Sequence, residues 1–484
     1  KTAISKKVCQ SDMIVSKPSH FNKKRLYMNL AEKSTAELQR LDSNHYLHPF
    51  TDPKALLEKG ARVITSANGI YIWDSDGEKI LDAMAGLWCV NVGYGREVLS
   101  RIAYEQSKEL PYYNSFFKTT TPPAIALAEK LVEVTPDGFN QVFYTNSGSE
   151  ANDTVIRTVR RYWRLLEKPE KRIIISRKRA YHGSTVAAAS LCGDSIYHEM
   201  DGLPIPDIVH IDCPYWYGEG GDLTPDEFGL KSAQSLESKI KELGPEKVAA
   251  FIGEPIQGAG GLIVPPDTYW PEIQRICEKY GILLISDEVI CGFGRTGNWF
   301  GCETYGFLPD LMPIAKGLSS GYMPIGGVMI HDRIAEVLIK KGGEFSHGYT
   351  YSGHPVACAV ALGNLKIIEE EQLVEKVAKE TGPYLKKRWQ EFENHPLVGE
   401  VRTVGMLGAI ELVEDKDKRK FFDSSMKVGD TCRDFCVENN IVMRALHDAM
   451  VVSPPLTITV EQIDEMFDLV KLCLDLTADK FGIS

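Results

Sequence analysis

Gly281–Gly301 reads GILLISDEVICGFGRTGNWFG. The apolar run ILLIS has the length and branching of a buried strand, and Asp287-Glu288 stands at its end. Next, Gly292-Phe293-Gly294-Arg295-Thr296-Gly297 spells G-x-G-x-x-G, the letters of a dinucleotide-binding loop. That loop requires a helix opening at its third glycine. Here NWFGCETYGFLPD follows, aromatic and glycine-interrupted, with no helical period. Two carboxylates before the loop would also repel a pyrophosphate. The glycines therefore read as turn residues, and the acid becomes the feature of interest. In α/β sheets ligands sit beyond the carboxyl ends of the strands, so Asp287 is expected to face such a crevice.

Working outward, β-rich runs alternate with helical stretches. VFYT, RIIIS, IVHI, VAAFIGEP, ILLISDE and GGVMI are separated by segments such as AIALAEKLVEV, NDTVIRTVRRYWRLLE and YWPEIQRICEKY. This alternation predicts an α/β fold with a mainly parallel central sheet covered by helices. Residues 29–48 read as an amphipathic helix, and 61–82 as strands around Asn68-Gly69 and Asp76-Gly77. After Pro355 a long helix is followed by further helices and the short strands GMLGAIELV, IVMRA and MVVSP, as in a smaller α+β domain. The expected organisation is 1–27 as a poorly ordered extension, 28–80 as an N-terminal segment packing with the small domain, 81–350 as the large domain and 351–484 as the small one.

Composition narrows the function. Lys plus Arg number 55 against 66 Asp plus Glu, a net charge of −11, which argues against nucleic acid as a partner. No apolar run approaches the ~20 residues of a membrane span. The eleven cysteines show no C-x-x-C pair or zinc spacing. Cys432 and Cys436 read as core, and free thiols point to a reducing, cytoplasmic location. No P-loop is present despite the Walker-B-like ISDE.

Three local patterns carry chemistry. Lys316 in PIAKGLSSG follows a short apolar run among small residues; it reads either as a surface loop lysine or as a carbonyl-trapping one. YTNSGSEAND opens a helix at Ser147 with Glu150 three residues on, which is either an ordinary capping box or an anion site at Gly148 and Ser149. Asp287 completes the set. Pyridoxal phosphate (PLP) needs an aldehyde-trapping lysine, a carboxylate for its ring nitrogen and an anion site for its phosphate.

The chain from about residue 40 onward resembles the class III, fold-type I PLP-dependent aminotransferases, and most nearly the ω-aminotransferases of the amine:pyruvate and putrescine:pyruvate kind. The resemblance is carried by LDAMAGLWCVNVGYGR (81–96), LPYYNSFFKT (110–119), FYTNSGSEANDT (143–154), AYHGST (180–185), GEPIQGAGG (253–261), SDEVICGFGRTG (286–297), AKGLSSGYMPIGGV (315–328) and HGYTYSGHP (347–355). It implies that Lys316 holds the cofactor and moves the substrate proton, that Asp287 pairs with the ring nitrogen, and that Val289 and Tyr181 enclose the ring. Val289 is expected on the same strand face as Asp287. Gly148 and Ser149 would hold the phosphate, joined by Thr350 of a neighbouring subunit, in a homodimer with shared sites or a tetramer built from it. Glu254 would join a polar network near the cofactor. Trp88, Phe116 and Ala259 would line the substrate pocket, with Phe116 contributed by the other subunit. Arg444 would swing to receive the carboxylate of a keto acid.

Relatives acting on γ-aminobutyrate or ornithine with 2-oxoglutarate often carry Glu where Ala259 stands, forming an Arg–Glu gate. Its absence points to transfer from a putrescine-like amine to pyruvate, with a γ-aminobutyrate or β-alanine transaminase as the alternative. Lys178 and Arg179, just before AYHGST, are expected to add positive charge near Tyr181.

Overall fold

The computed structural model describes residues 33–199 and 202–483; the extension expected over 1–27 lies outside them. The described residues divide into two compact units, 33–66 with 73–78, and 67–72 with the described residues from 79 onward. In the first, a helix runs over Thr35–His45, shorter than the 29–48 expectation. Ser34 sets its start through a capping box with Glu37. Arg62 Nε lies 2.9 Å from Asp74 Oδ2 in the same unit.

The second unit is built on a seven-stranded sheet. Its order is Gln141–Thr145, Gly326–Ile330, Leu311–Ile314, Leu283–Ser286, Val248–Gly253, Ile173–Arg177 and Ile208–Ile211. The last five run parallel, while Gly326–Ile330 is antiparallel to both neighbours. Val248–Gly253 and Leu283–Ser286 are buried at every position, which is why they read as unbroken apolar runs rather than alternating ones. The expected α/β architecture, a mainly parallel sheet with covering helices, is what forms. Leu311–Ile314 is the strand that the run of β-rich segments missed: Ile314 is its one β-branched residue, and Pro313 argues locally against a central strand.

The helices follow their apolar faces. Gly148–Leu165 buries Ala151, Val155, Val159 and Trp163. Tyr269–Tyr280 begins and ends as read from the sequence, with Gly281 as its left-handed C-cap at φ +55°. Further on, Val398–Val404, Leu407–Leu412, Ala449–Val452 and Arg444–Leu446 form an antiparallel sheet. Ile441–Val442 pairs in parallel with Lys79–Asp82.

Arg402 ties that antiparallel sheet to the loop beyond Val248–Gly253. Its guanidinium donates to the carbonyls of Leu262 (3.0 Å) and Gly261 (2.7 Å), and to Glu411 Oε2 (2.7 Å). Glu400 takes a further bond. Removing one partner of a buried pair leaves the other charge uncompensated. Arg402→Met is expected to destabilise the fold by about 3–5 kcal/mol, read as a lowered denaturation midpoint in urea.

Candidate active site

Asp287 lies one residue past the end of Leu283–Ser286 and is 3% exposed. Its backbone N–H still donates to Gly253 O at 2.9 Å, continuing the sheet. Oδ2 accepts from His182 Nδ1 at 2.7 Å and from Asn152 Nδ2 at 2.8 Å. Oδ1 accepts the Val289 N–H at 3.1 Å. No Lys or Arg is paired with this carboxylate among the described residues. Asn152 Nδ2 also reaches His182 O at 2.7 Å, so three segments far apart in sequence converge on one acid. His182 Nε2 and Asn152 Oδ1 are buried with no protein partner. Buried polar atoms without partners mark places where a ligand or water is to be accommodated.

Val289 is not on the strand face expected for it. The strand stops at Ser286 and Val289 begins the turn beyond it. It nevertheless stands close to the helix start: a Cβ on Gly148 would lie 2.9 Å from Val289 Cγ1. Gly148 and Ser149 are the first two residues of Gly148–Leu165, so their N–H groups have no intrahelical acceptor and sit at the positive end of an 18-residue helix. Ser147 caps this helix by accepting the Glu150 N–H at 3.2 Å. The reciprocal half of the expected capping box is displaced: Glu150 Oε2 takes Asn146 N (2.7 Å) and Nδ2 (2.9 Å) instead. The loop is thus folded back while the helix mouth stays open. Ser149 Oγ accepts the Ser184 N–H at 3.0 Å, tying it to the AYHGST segment.

Glu288, the second acid of the pair, has a separate role. It is fully buried, accepts N–H groups of Gly301 (2.7 Å) and Cys302 (2.8 Å), and takes Ser286 Oγ at 2.8 Å. Burial pushes its carboxyl up to about 7. It closes the Gly292–Gly297 turns from one side. Arg295 closes them from the other, donating to Asn91 Oδ1 at 2.6 Å and to Pro454 O. No helix opens at Gly297, and only a four-residue helical turn follows, at Gly301–Thr304, as the reading against a dinucleotide site required.

Lys316 follows Leu311–Ile314 and opens a short 3-10 turn at φ +45°, a left-handed conformation unusual for a residue with a side chain. The turn is held from outside: Asn364 Nδ2 donates to Gly317 O (2.8 Å) and Leu318 O (3.0 Å). Such strain persists only where surroundings impose it, and it concentrates at functional positions. Desolvation lowers the Lys316 ammonium below the usual lysine range, against opposing pulls from Cys89, Asp287 and Glu254, and Arg444 lowers it further. Those groups identify the residues gathered around it.

Glu254 is 3% exposed and accepts N–H groups of Tyr181 (3.1 Å) and Gly258 (3.0 Å). Burial raises its carboxyl above the ordinary range. It therefore fixes Tyr181 on one side and the turn carrying Ala259 on the other. The Tyr181 hydroxyl lies 3.0 Å from Ser184 Oγ, and its ring is 5.4 Å from that of Tyr197. Arg444 is half-buried; desolvation lowers its guanidinium from the ordinary arginine range, and Tyr197 and Tyr181 oppose that shift. It makes no ion pair with an acid among the described residues. Trp88 is 2% exposed and packs with Met84, Ile256, Leu262 and Ile290 behind the Gln257–Gly261 turn.

Two expected site residues lie elsewhere in the single chain. Phe116 packs on Gly348, where an added Cβ would approach its ring to 2.9 Å. It lines a cavity of about 940 Å³ with Ser115, His347 and Ser352, whose walls include none of Lys316, Asp287 and Tyr181. Thr350 is exposed, its carbonyl receiving the Tyr112 hydroxyl at 2.7 Å. The charge expected from Lys178 and Arg179 is also directed elsewhere. Lys178 Nζ pairs with Asp212 at 2.7 Å, and Arg179 lies over the Tyr215 ring at 4.8 Å.

A strand-end lysine, an acid with oriented donors and an open helix N-terminus are the three parts a PLP site requires, and the unpartnered buried His182 Nε2 and Asn152 Oδ1 leave polar capacity beside Asp287 for such a group. The model for aminotransferase class-III matches residues 57–474. A putrescine–pyruvate aminotransferase of Pseudomonas aeruginosa is 61% identical over 449 residues, covering 93% of this chain and 98% of its own length. A chloroplastic γ-aminobutyrate transaminase of Solanum lycopersicum is 41% identical over 438 residues, covering 90% and 84%. Among solved structures, the ω-transaminase of Pseudomonas jessenii in complex with PMP has a TM-score of 0.90 at 43% identity, covering 92% of this chain and 99% of that one. The chain belongs to the class-III aminotransferases, with the fold-type I architecture of PLP-dependent transaminases.

Proposed function

We propose that this enzyme moves an amino group from a putrescine-like primary amine or diamine to pyruvate in two alternating half-reactions, with PLP as cofactor. The observation that carries the donor assignment is Arg444: it is half-buried, close enough to Tyr181 and Tyr197 to feel them electrostatically, and pairs with no acid among the described residues, while Ala259 stands where the resemblance puts a gating carboxylate in other relatives. The identity to the Pseudomonas aeruginosa enzyme supports the same assignment.

When bound, PLP supplies an aldehyde that takes up the amino group and a ring that accepts the electron pair of the breaking C–H bond. Lys316 would hold it. Burial favours the neutral form of its amine, which suits Nζ to remove a proton from the substrate carbon and return it. Asp287 would stabilise positive charge at the ring nitrogen, its carboxylate oriented by His182 and Asn152. Gly148 and Ser149 would hold the phosphate through N–H groups at the helix mouth, with Thr350 of a second subunit completing that site. The same homodimer would bring Phe116 to the partner's substrate pocket. Tyr181 and Val289 would enclose the ring, with Trp88 and Ala259 lining the substrate side. The acidic net charge and free thiols suit a cytoplasmic enzyme.

Absorbance titration of the PLP-loaded protein tests this reading. The visible band is expected to bleach with putrescine and return with pyruvate. A band that ignores putrescine but responds to γ-aminobutyrate or β-alanine would transfer the assignment to that donor class. Failure to take up PLP would overturn the whole reading.

Arg444 carries a separate prediction. A charge-assisted contact to a carboxylate is worth about 1.5–3 kcal/mol, so Arg444→Ala is expected to raise the KM for pyruvate roughly 10–100-fold. The putrescine half-reaction, whose substrate has no carboxylate, should change far less. Stopped-flow measurement of each half-reaction separates the two.

A further inference from the structure

We infer that this enzyme has an oligophosphate-binding site remote from Lys316, formed by an arginine stripe on the helix Gly148–Leu165. Arg157, Arg160, Arg161 and Arg164 recur at i, i+3, i+4 and i+7 and so share one helix face. With Arg172 they line a cavity of about 680 Å³. The only acids lining it are Glu170 and Asp207, and Asp207 already pairs with Arg172 at 3.0 Å.

This arrangement is unfavourable without a counter-ion. Like charges at i,i+3 and i,i+4 destabilise a helix, and the stripe contains both spacings twice. The helix dipole offsets cations only within the last turn, which holds Arg164 alone, and so leaves Arg157, Arg160 and Arg161 unaccounted for. Carbonyls satisfy part of the stripe. Arg157 donates to Ser346 O (3.0 Å), Arg160 to Pro206 O (3.1 Å) and Arg161 to Glu344 O (2.9 Å). Neutral acceptors leave the net charge in place, and each guanidinium has five N–H donors. Arg160 Nε is buried with no protein partner, and the Arg164 guanidinium has none among the described residues.

Guanidinium forks match phosphate oxygens in pairs. From Arg157 to Arg164 the stripe spans about 10 Å along the helix axis. One tetrahedral anion cannot bridge that length, whereas a short chain of linked phosphates can. Phe345 also lines the cavity, with the Arg161 guanidinium over its ring at 5.1 Å. An inorganic phosphate chain and a nucleoside triphosphate present the same chemistry to the arginines.

The experiment is calorimetric titration of the PLP-loaded enzyme, in phosphate-free buffer of low ionic strength, with tripolyphosphate and separately with ATP. Bound PLP keeps the helix N-terminus filled, so that site does not contribute. Saturable binding is expected, weakening as salt is added. Arg160→Gln with Arg164→Gln should weaken it roughly tenfold or more. Arg164→Lys, which keeps the charge on an exposed side chain and loses the fork, should fall between. Equal affinities for the two probes would mean that the phosphate chain alone is read; tighter ATP binding would add the base as a contact. Absence of saturable binding at low salt, or undiminished affinity in a double variant that retains its thermal unfolding profile, would overturn the site.

Discussion

Lys316→Ala is expected to abolish turnover, with kcat lowered by at least ~10⁴-fold, while the protein stays folded. The substitution removes a group whose burial disfavours its charged form, so it relieves a desolvation cost. It does not ease the backbone, since alanine also carries a Cβ at the φ of +45°. The turn is fixed by Asn364 from outside, and those bonds do not involve the lysine side chain. Thermal unfolding is therefore expected to shift little. Cofactor retention should persist in part, because the helix N-terminus and Asp287 remain. The discriminating measurement is rescue: a small primary amine such as methylamine, added to the variant, should restore a fraction of proton transfer in the space vacated by the side chain. Retention of turnover within tenfold of wild type would remove Lys316 from the chemistry.

Individual residues show how far the sequence could be read. The strand before Asp287 was legible because burial on both faces leaves an unbroken apolar run, and that placed the acid at a strand end. Its partners were not legible. Ile173–Arg177, which leads towards His182, is separated from Leu283–Ser286 in the sheet by Val248–Gly253, and lateral order leaves no mark on local composition. Asn152 had a usable signal: it stands one helical turn beyond Gly148, on a face that also buries Ala151 and Val155. A polar residue there needs a partner inside the fold. The Ser147–Glu150 spacing pointed correctly to the helix start. It could not reveal that Glu150 turns back to Asn146, because Asn146 offers that carboxylate both a backbone and a side-chain donor. Lys178 was misplaced for a related reason. Adjacency to Tyr181 in the chain says nothing about direction, and Asp212, at the end of the neighbouring parallel strand, draws it away.

Asp287→Asn tests the remaining charge of the site. The two side chains are nearly the same size, so any effect comes from charge and hydrogen-bond polarity. In the wild type both carboxylate oxygens accept: Oδ2 from His182 and Asn152, Oδ1 from Val289 N–H. An amide has one accepting oxygen. Placed with its nitrogen at the Oδ2 position, it meets two donors; placed the other way, it opposes the Val289 N–H. Either orientation forces a neighbour to turn, and His182 can do so because its Nε2 has no protein partner. The fold should tolerate this, but the negative charge that would stabilise a protonated ring nitrogen is gone. Removing one preorganised electrostatic group from a desolvated site costs on the order of 10³-fold in kcat, and a loss of that size is expected in both half-reactions alike, since the ring serves both. This symmetry separates Asp287 from Arg444, whose loss should fall on the keto-acid half alone. Asp287→Glu, which keeps the charge but displaces it by one methylene, should recover part of the rate. If Asp287→Asn instead lowers PLP occupancy and leaves the rate of the loaded fraction unchanged, the carboxylate only holds the cofactor in place.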